Sequence, residues 1–205
     1  MKSLKMMLGL VLLLAVSGAA VVRAQSGEDA VINASADAQK QLASRDPFVR
    51  QRAAEDLAGL ASPDNRKLLE GYRLQEKNAR VKLALDWALY RIGKSDALFA
   101  VVRALDSQRA DQAKTYLISM ERPEPLYIFM ERVNGNTQLK LLEVLAKIGD
   151  AGTVEKIQPF LESFDPKVSE AAQAATREIE QRLGQQPQPE NSTRPRQVGN
   201  GENTP

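Results

Sequence analysis

Apolar residues in this chain recur at helical spacing, in a register that itself repeats. From Asp46 to Leu60, the residues Val49, Ala53, Leu57 and Leu60 fall on one helical face. Asp46 suits the cap before that helix, and Pro47 suits its first position, where a missing N–H costs nothing. The same opening returns as Asp165-Pro166-Lys167-Val168, followed by Ala171, Ala172 and Ala175. Between the two, a pair of ladders advances together. Leu57, Leu89, Leu117 and Leu145 stand 32, 28 and 28 residues apart, and Leu68, Leu98, Leu126 and Val154 stand 30, 28 and 28 apart. Three residues past the second ladder come Gly71, Val101, Phe129 and Ile157. The unit is therefore a helix pair of about 30 residues. Each helix carries an apolar stripe that only stacking on its neighbours can bury. The pattern predicts an all-α array of about four and a half helix pairs.

Capping and breaking residues divide the array. Glu28 to Ala43, with Val31, Ala38 and Leu42 as apolar marks, reads as a terminal capping helix with one polar face. Ser62 and Pro63 open the second helix of the first pair, Gly93 stops the next helix, and Ser95 is the cap expected after it. Pro123 and Pro125 restart the chain near Leu126. Asn134-Gly135-Asn136 reads as a turn, and Gly184 is expected to close the last helix.

The stretch Asp46-Pro47-Phe48-Val49-Arg50, with Ala53-Ala54 and Leu57 behind it, resembles a HEAT repeat of the degenerate, phycobilisome-lyase-like kind. Ile92-Gly93 and Ile148-Gly149 match the ending of such repeats, and the likeness runs from about Asp37 to Leu183. The Val-Arg step of the family is Val49-Arg50 here and Val81-Lys82 in the second pair; Arg109-Ala110 and Thr137-Gln138 depart from it. The resemblance implies a right-handed α–α solenoid with a protein-binding role, the Val-Arg helices lining its inner face. Some HEAT-like relatives have lyase or chaperone-lyase activity, which is the enzymatic alternative.

Lys2 and Lys5 precede an apolar run from Met6 to Val22, and Val22-Arg23-Ala24 stands before Gln25. This is the layout of a secretory signal peptide cleaved after Ala24. A retained anchor is the competing reading, because the run approaches the ~17–25 residues of a spanning helix. It would make the protein a membrane-tethered spacer. Cleavage leaves no integral span, and it changes the charge balance. The net +2 of the whole chain includes Lys2, Lys5 and Arg23, so 25 basic residues remain against 26 acidic ones. A chain so nearly neutral has no electrostatic footprint for nucleic acid. With no cysteine in the sequence, export points to a periplasmic or secreted protein without disulfides. The expected organisation is a signal peptide over 1–24, a helical repeat domain over 25–184 and a Pro/Gln/Asn-rich tail over 185–205. The tail has too few apolar residues to offset its ordering entropy.

Chemistry is sparse. With no histidine and no cysteine, Ser-His-Asp and Cys-His arrangements and His/Cys zinc sites are excluded. No Gly-rich phosphate loop occurs. Carboxylates such as Glu55-Asp56, Asp86 and Glu121 with Glu124 read as solvated helix faces. Neither a cofactor nor a reaction is indicated, so the expected role is that of a non-catalytic scaffold for a protein of the cell envelope. Two residues before the first ladder stand Glu55, Trp87, Thr115 and Glu143, where three polar residues suggest a solvent-facing position. Trp87 departs from that company. With Leu83 and Tyr90 on the same stripe and Arg91 beside it, it has the aromatic-plus-arginine composition of an interface hot spot. Burial of Trp87 between neighbouring helices is the competing reading. Tyr127 is a second candidate for partner contact, and Arg73 and Arg103, equivalent in register, read as solvated arginines with their stems laid on the core, a short basic patch being the alternative.

Overall fold

Ten α-helices make up a computed structural model that describes residues 18–185. The apolar centre of the expected leader and the tail after Gln185 lie outside the described residues. Helix α1 is Gly18–Gln41, α2 Pro47–Leu60, α3 Arg66–Gln75, α4 Ala79–Arg91 and α5 Leu98–Arg103. They are followed by α6 Ala110–Ile118, α7 Glu124–Met130, α8 Gly135–Ile148, α9 Ala151–Leu161 and α10 Pro166–Gln185. No strand occurs among the described residues, and no helix there is long and apolar enough to cross a membrane.

Local chemistry explains most of these ends. The Asp46 carboxylate accepts from the Phe48 N–H at 2.8 Å, and Pro47 opens α2. Asn78 accepts from the N–H groups of Arg80 and Val81 at the start of α4. Gly93, at φ +99°, ends that helix in a conformation other residues rarely adopt. Three expected boundaries move. Ser95 is the first residue of a 3₁₀ turn, Ser95–Ala97, rather than a cap. Gly135 begins α8 directly after Asn134, so the expected turn is already a helix start. The last helix runs through Gly184 to Gln185.

The first ladder is buried at every rung, Leu57, Leu89, Leu117 and Leu145. The second is not. Leu98 and Leu126 are buried but Leu68 and Val154 are half-exposed, and the positions buried in every pair are Leu69, Val101, Phe129 and Ile157. These stand 32, 28 and 28 residues apart, the same intervals as the first ladder. Leu57 and Leu69 are 12 residues apart, as are Leu89 and Val101, Leu117 and Phe129, and Leu145 and Ile157, so the extra residues of the first pair follow Leu69, and a second ladder advancing by 30 had to be misregistered.

The chain forms two compact units, divided between Ser119 and Met120. In the first, α4 packs against α2, α3, α5 and α6, and α1 packs on α2. Surrounded in this way, α4 is buried on almost every side, from Val81 through Leu83, Ala84, Leu85, Asp86, Trp87, Ala88 and Leu89. Arg50 fastens two loops of this unit. Its Nε and Nη2 donate to the Glu76 carboxylate at 2.8 and 3.0 Å, and its Nη1 donates to the carbonyls of Ser44 and Arg45. The Val-Arg step therefore has a structural occupation in the first pair.

In the second unit, α10 packs on α8 and α9, and α7 on α8. Val168, Ala172, Ala175 and Ile179 form the buried stripe of α10. Arg182 reaches from the same helix to the carbonyls of Ala146 and Gly149, satisfying acceptors that the end of α8 leaves open. A side chain at Gly149 has no room: a Cβ there would lie 2.5 Å from the Leu145 carbonyl oxygen and 2.8 Å from Ile179 Cδ1.

Candidate functional site

Helices α2, α4 and α6 are the first members of three successive pairs, and their facing residues enclose a polar cleft of about 370 Å³ in the first unit. Its lining includes Gln51 and Glu55 from α2, Arg80 from α4, and Gln112, Thr115 and Tyr116 from α6. Helices α2 and α6 contribute by the four-residue spacing that places side chains one above another. Gln51 meets Glu55, and Gln112 meets Tyr116, through hydrogen bonds of 2.7 Å.

These pairs are joined across the helices. The Tyr116 hydroxyl donates to Glu55 Oε1 at 2.5 Å, and Gln51 Nε2 donates to the same oxygen at 2.7 Å. Gln112 Nε2 donates both to Tyr116 Oη at 2.7 Å and to the Arg80 carbonyl at 2.9 Å. Burial pushes the Tyr116 hydroxyl far above its ordinary pKa; donation from Gln112 opposes this, and the Glu55 carboxylate reinforces it. The phenol therefore keeps its proton at neutral pH and acts as a fixed donor. The network leaves acceptors over. The carbonyl oxygens of Gln51 and Gln112 are buried without a hydrogen-bond partner among the described residues. Each such acceptor costs about 1–3 kcal/mol relative to a satisfied one.

The rim is different in character. Phe48 is 65% exposed, and the Arg80 guanidinium lies 5.1 Å from its ring centroid. Arg80 and Arg109 match Glu55 and Asp111 in charge, so the lining is neutral overall. What this arrangement does chemically is hydrogen-bond. Among the described residues no three acidic side chains gather as a metal site would require.

The structure brings Trp87, Tyr90 and Arg91 together, with Trp87 inside the unit and Tyr90 and Arg91 half-exposed. Trp87 is 5% exposed and Leu83 likewise 5%, which corrects the expectation of a solvent-facing position. The Trp87 ring stacks on Tyr116 with centroids 5.5 Å apart and planes 8° from parallel. Tyr90 lies 5.5 Å away at 35°, and the Arg91 guanidinium stands 5.8 Å from the Trp87 centroid. Burial also raises the Tyr90 pKa. Trp87 thus supports the cleft from below, through Tyr116. Its register companions Glu55 and Thr115 do line the cleft.

Tyr127 belongs to the second unit. Its hydroxyl is 2.7 Å from Thr153 Oγ1 and 3.4 Å from Asp150 Oδ1, tied into the capping box that opens α9. Arg73 is not part of a free basic patch. Its Nε donates to the Asp86 carboxylate at 2.5 Å. Asp86, read from sequence as a solvated carboxylate, is buried, and burial raises its pKa although Arg73 pulls the other way. Arg103 is exposed.

Gln51, Arg80, Gln112 and Tyr116 were not singled out by sequence. The available signal was a pair of hydrogen-bonding residues four apart on each of two equivalent helices, Gln51/Glu55 and Gln112/Tyr116.

No family model matches the chain, and no curated protein matches it significantly. Among solved structures the chain is similar to an engineered protein determined by the Northeast Structural Genomics Consortium. The two share 22% identity, over 81% of this chain and 93% of that one, with a TM-score of 0.34.

Proposed function

We propose that this chain is a non-catalytic adaptor of the HEAT-like type, a right-handed solenoid of helix pairs that is exported and holds a protein partner in the cell envelope. The partner-binding surface is the face of the first unit formed by α2, α4 and α6. One observation carries this reading. The cleft on that face has a hydrogen-bonded floor, and Arg80 of its lining stands over the exposed ring of Phe48. An aromatic ring paired with an arginine beside a pocket has the composition of an interface hot spot. The same chemistry disfavours a reaction: the phenol that donates to Glu55 holds its proton too tightly to serve as a base.

The test places a photo-crosslinking amino acid at Thr115, an exposed residue of the cleft, and separately at Lys67, exposed on α3. The proposal expects one discrete adduct from the Thr115 position in cells and none from Lys67. Equal labelling from both positions, or from neither, removes the assignment of this face. Sequencing the N-terminus of the chain recovered from the envelope tests export, with Gln25 as the expected first residue.

A further inference from the structure

We propose that Asn134-Gly135, where α7 gives way to α8, is a site of spontaneous covalent modification: the Gly135 peptide nitrogen attacks the Asn134 carboxamide and converts it to aspartate and isoaspartate. The junction belongs to the second unit, so its chemistry is independent of the partner site in the first. Such a reaction needs an accessible carboxamide, an unshielded peptide nitrogen after it and a backbone free to rotate between them. Asn134 and Gly135 are both exposed. Asn134 stands before α8 in extended backbone, at φ −139° and ψ 175°, and its side chain makes no capping hydrogen bond. Gly135 is the first residue of the helix, where an N–H has no carbonyl of its own helix to meet. Beyond its chain neighbours and its own helix backbone, nothing lies within 4 Å of the place a Cβ would take on Gly135. Glycine is held at this position by the backbone, because φ is +54°, in the left-handed region that other residues enter at a cost. The turn that starts α8 therefore brings with it the dipeptide most open to ring closure.

The other asparagines among the described residues each lack one of these conditions. Asn78 also caps a helix, but its side-chain oxygen is held by the N–H groups of Arg80 and Val81, and Ala79 follows it. Asn65 is 2% exposed and bonded to Gln39 and Ser35. Asn33 and Asn136 lie inside α1 and α8, where ring closure has to break helical geometry. The bond changes at the junction balance. Gly135 N bonds to Asn134 Cγ, and the carboxamide nitrogen leaves as ammonia with the proton that Gly135 gives up. Water then opens the cyclic imide. Cleavage of the bond to Cγ gives aspartate; cleavage of the bond to the main-chain carbonyl carbon gives isoaspartate, which adds a methylene to the backbone. Either product adds a carboxylate at the start of α8, where the helix dipole favours it.

The experiment incubates the full chain at mildly alkaline pH, folded and in urea, and follows each asparagine by peptide mapping that separates aspartate from isoaspartate. In the folded chain Asn134 is expected to convert at least about tenfold faster than Asn33, Asn65, Asn78 and Asn136, with isoaspartate among the products. Its rate is expected to stay within about tenfold of the rate in urea. Gly135→Ala, compared in urea where the fold has no part, is expected to slow conversion at least about tenfold, because the added methyl crowds the attacking nitrogen. Asn200-Gly201, outside the described residues, falls in a separate peptide and is scored apart. A larger drop on folding means that the fold protects the junction, and it overturns the proposal. Conversion of another described asparagine as fast as Asn134 overturns it too. Aspartate without isoaspartate overturns the imide route in favour of direct hydrolysis, and no conversion at Asn134 in either condition removes the site.

Discussion

Replacing Arg50 by Ala removes a clamp whose four hydrogen bonds tie the loop before α2 to the loop after α3. The side chain donates to both Glu76 oxygens and to the carbonyls of Ser44 and Arg45. The side chains of Arg50 and Glu76 are 19% and 8% exposed, so the pair belongs closer to the buried class than to the surface one. Surface pairs contribute about 0–1 kcal/mol, and stripping one partner from a buried pair costs about 3–5 kcal/mol. Glu76 keeps the N–H groups of Lys77 and Asn78 after the change, which places the expected loss at about 2–3 kcal/mol. For a unit of this size that lowers Tm by about 10–20 °C. Arg50→Lys preserves charge, but a single ammonium cannot span the carboxylate and both carbonyls, so about half of the loss remains. Urea unfolding read by Trp87 emission measures both variants in the unit concerned. A pH series adds a signature. Hydrogen bonding from Arg50 holds the Glu76 carboxyl below its ordinary value. Its stabilisation is therefore complete above the unfolded value of about 4.3 and lost as pH falls through the folded value. Asp86, which burial shifts upward, contributes the opposite slope in both proteins. The difference between wild type and Arg50→Ala isolates Glu76. A loss below about 0.5 kcal/mol, or Arg50→Lys behaving as wild type, refutes the clamp.

Glycines provide a contrast of sign. Gly149→Ala is expected to destabilise by about 1–3 kcal/mol or more, because its Cβ meets the Leu145 carbonyl oxygen at 2.5 Å. Gly71→Ala, inside α3 with nothing within 4 Å, should stabilise by about 0.5–1 kcal/mol; thermal melts decide both. Leu69→Ala is expected to cost about 2–5 kcal/mol, since Leu69 is fully buried. Leu68→Ala, half-exposed one position earlier, should cost under about 1 kcal/mol, and the reverse order in urea unfolding would restore the other register. Trp87 should emit in the blue and resist acrylamide, as its 5% exposure requires; a red, readily quenched emission would expose it.

Helix content and the first ladder were legible because they depend only on local spacing. Leu57, Leu89, Leu117 and Leu145 repeat with the pair, and all four are buried. A cap was legible for the same reason at Asp46, whose side chain bonds the next turn. The second ladder failed at its first rung, although the correcting signal was already present in the 32-residue interval of the first ladder. Arg73 and Asp86 failed differently. Both read as solvated charges, but α4 is enclosed by four helices, and a carboxylate on such a helix needs a partner.

Trp87 shows why equivalent repeat positions do not guarantee equivalent environments. Its companions Glu55 and Thr115 border the cleft, so comparison by register suggests that the tryptophan does too. On the enclosed α4, however, the same position points beneath Tyr116, which lies between Trp87 and the polar floor. The contact that makes the floor, Tyr116 to Glu55, joins residues 61 apart in sequence. No periodicity of about 30 residues isolates such a pair, because it spans two repeat intervals and involves unlike residue types. The tryptophan therefore acts on the site through stacking. It holds the phenol ring in place while Glu55 and Gln112 fix its hydroxyl.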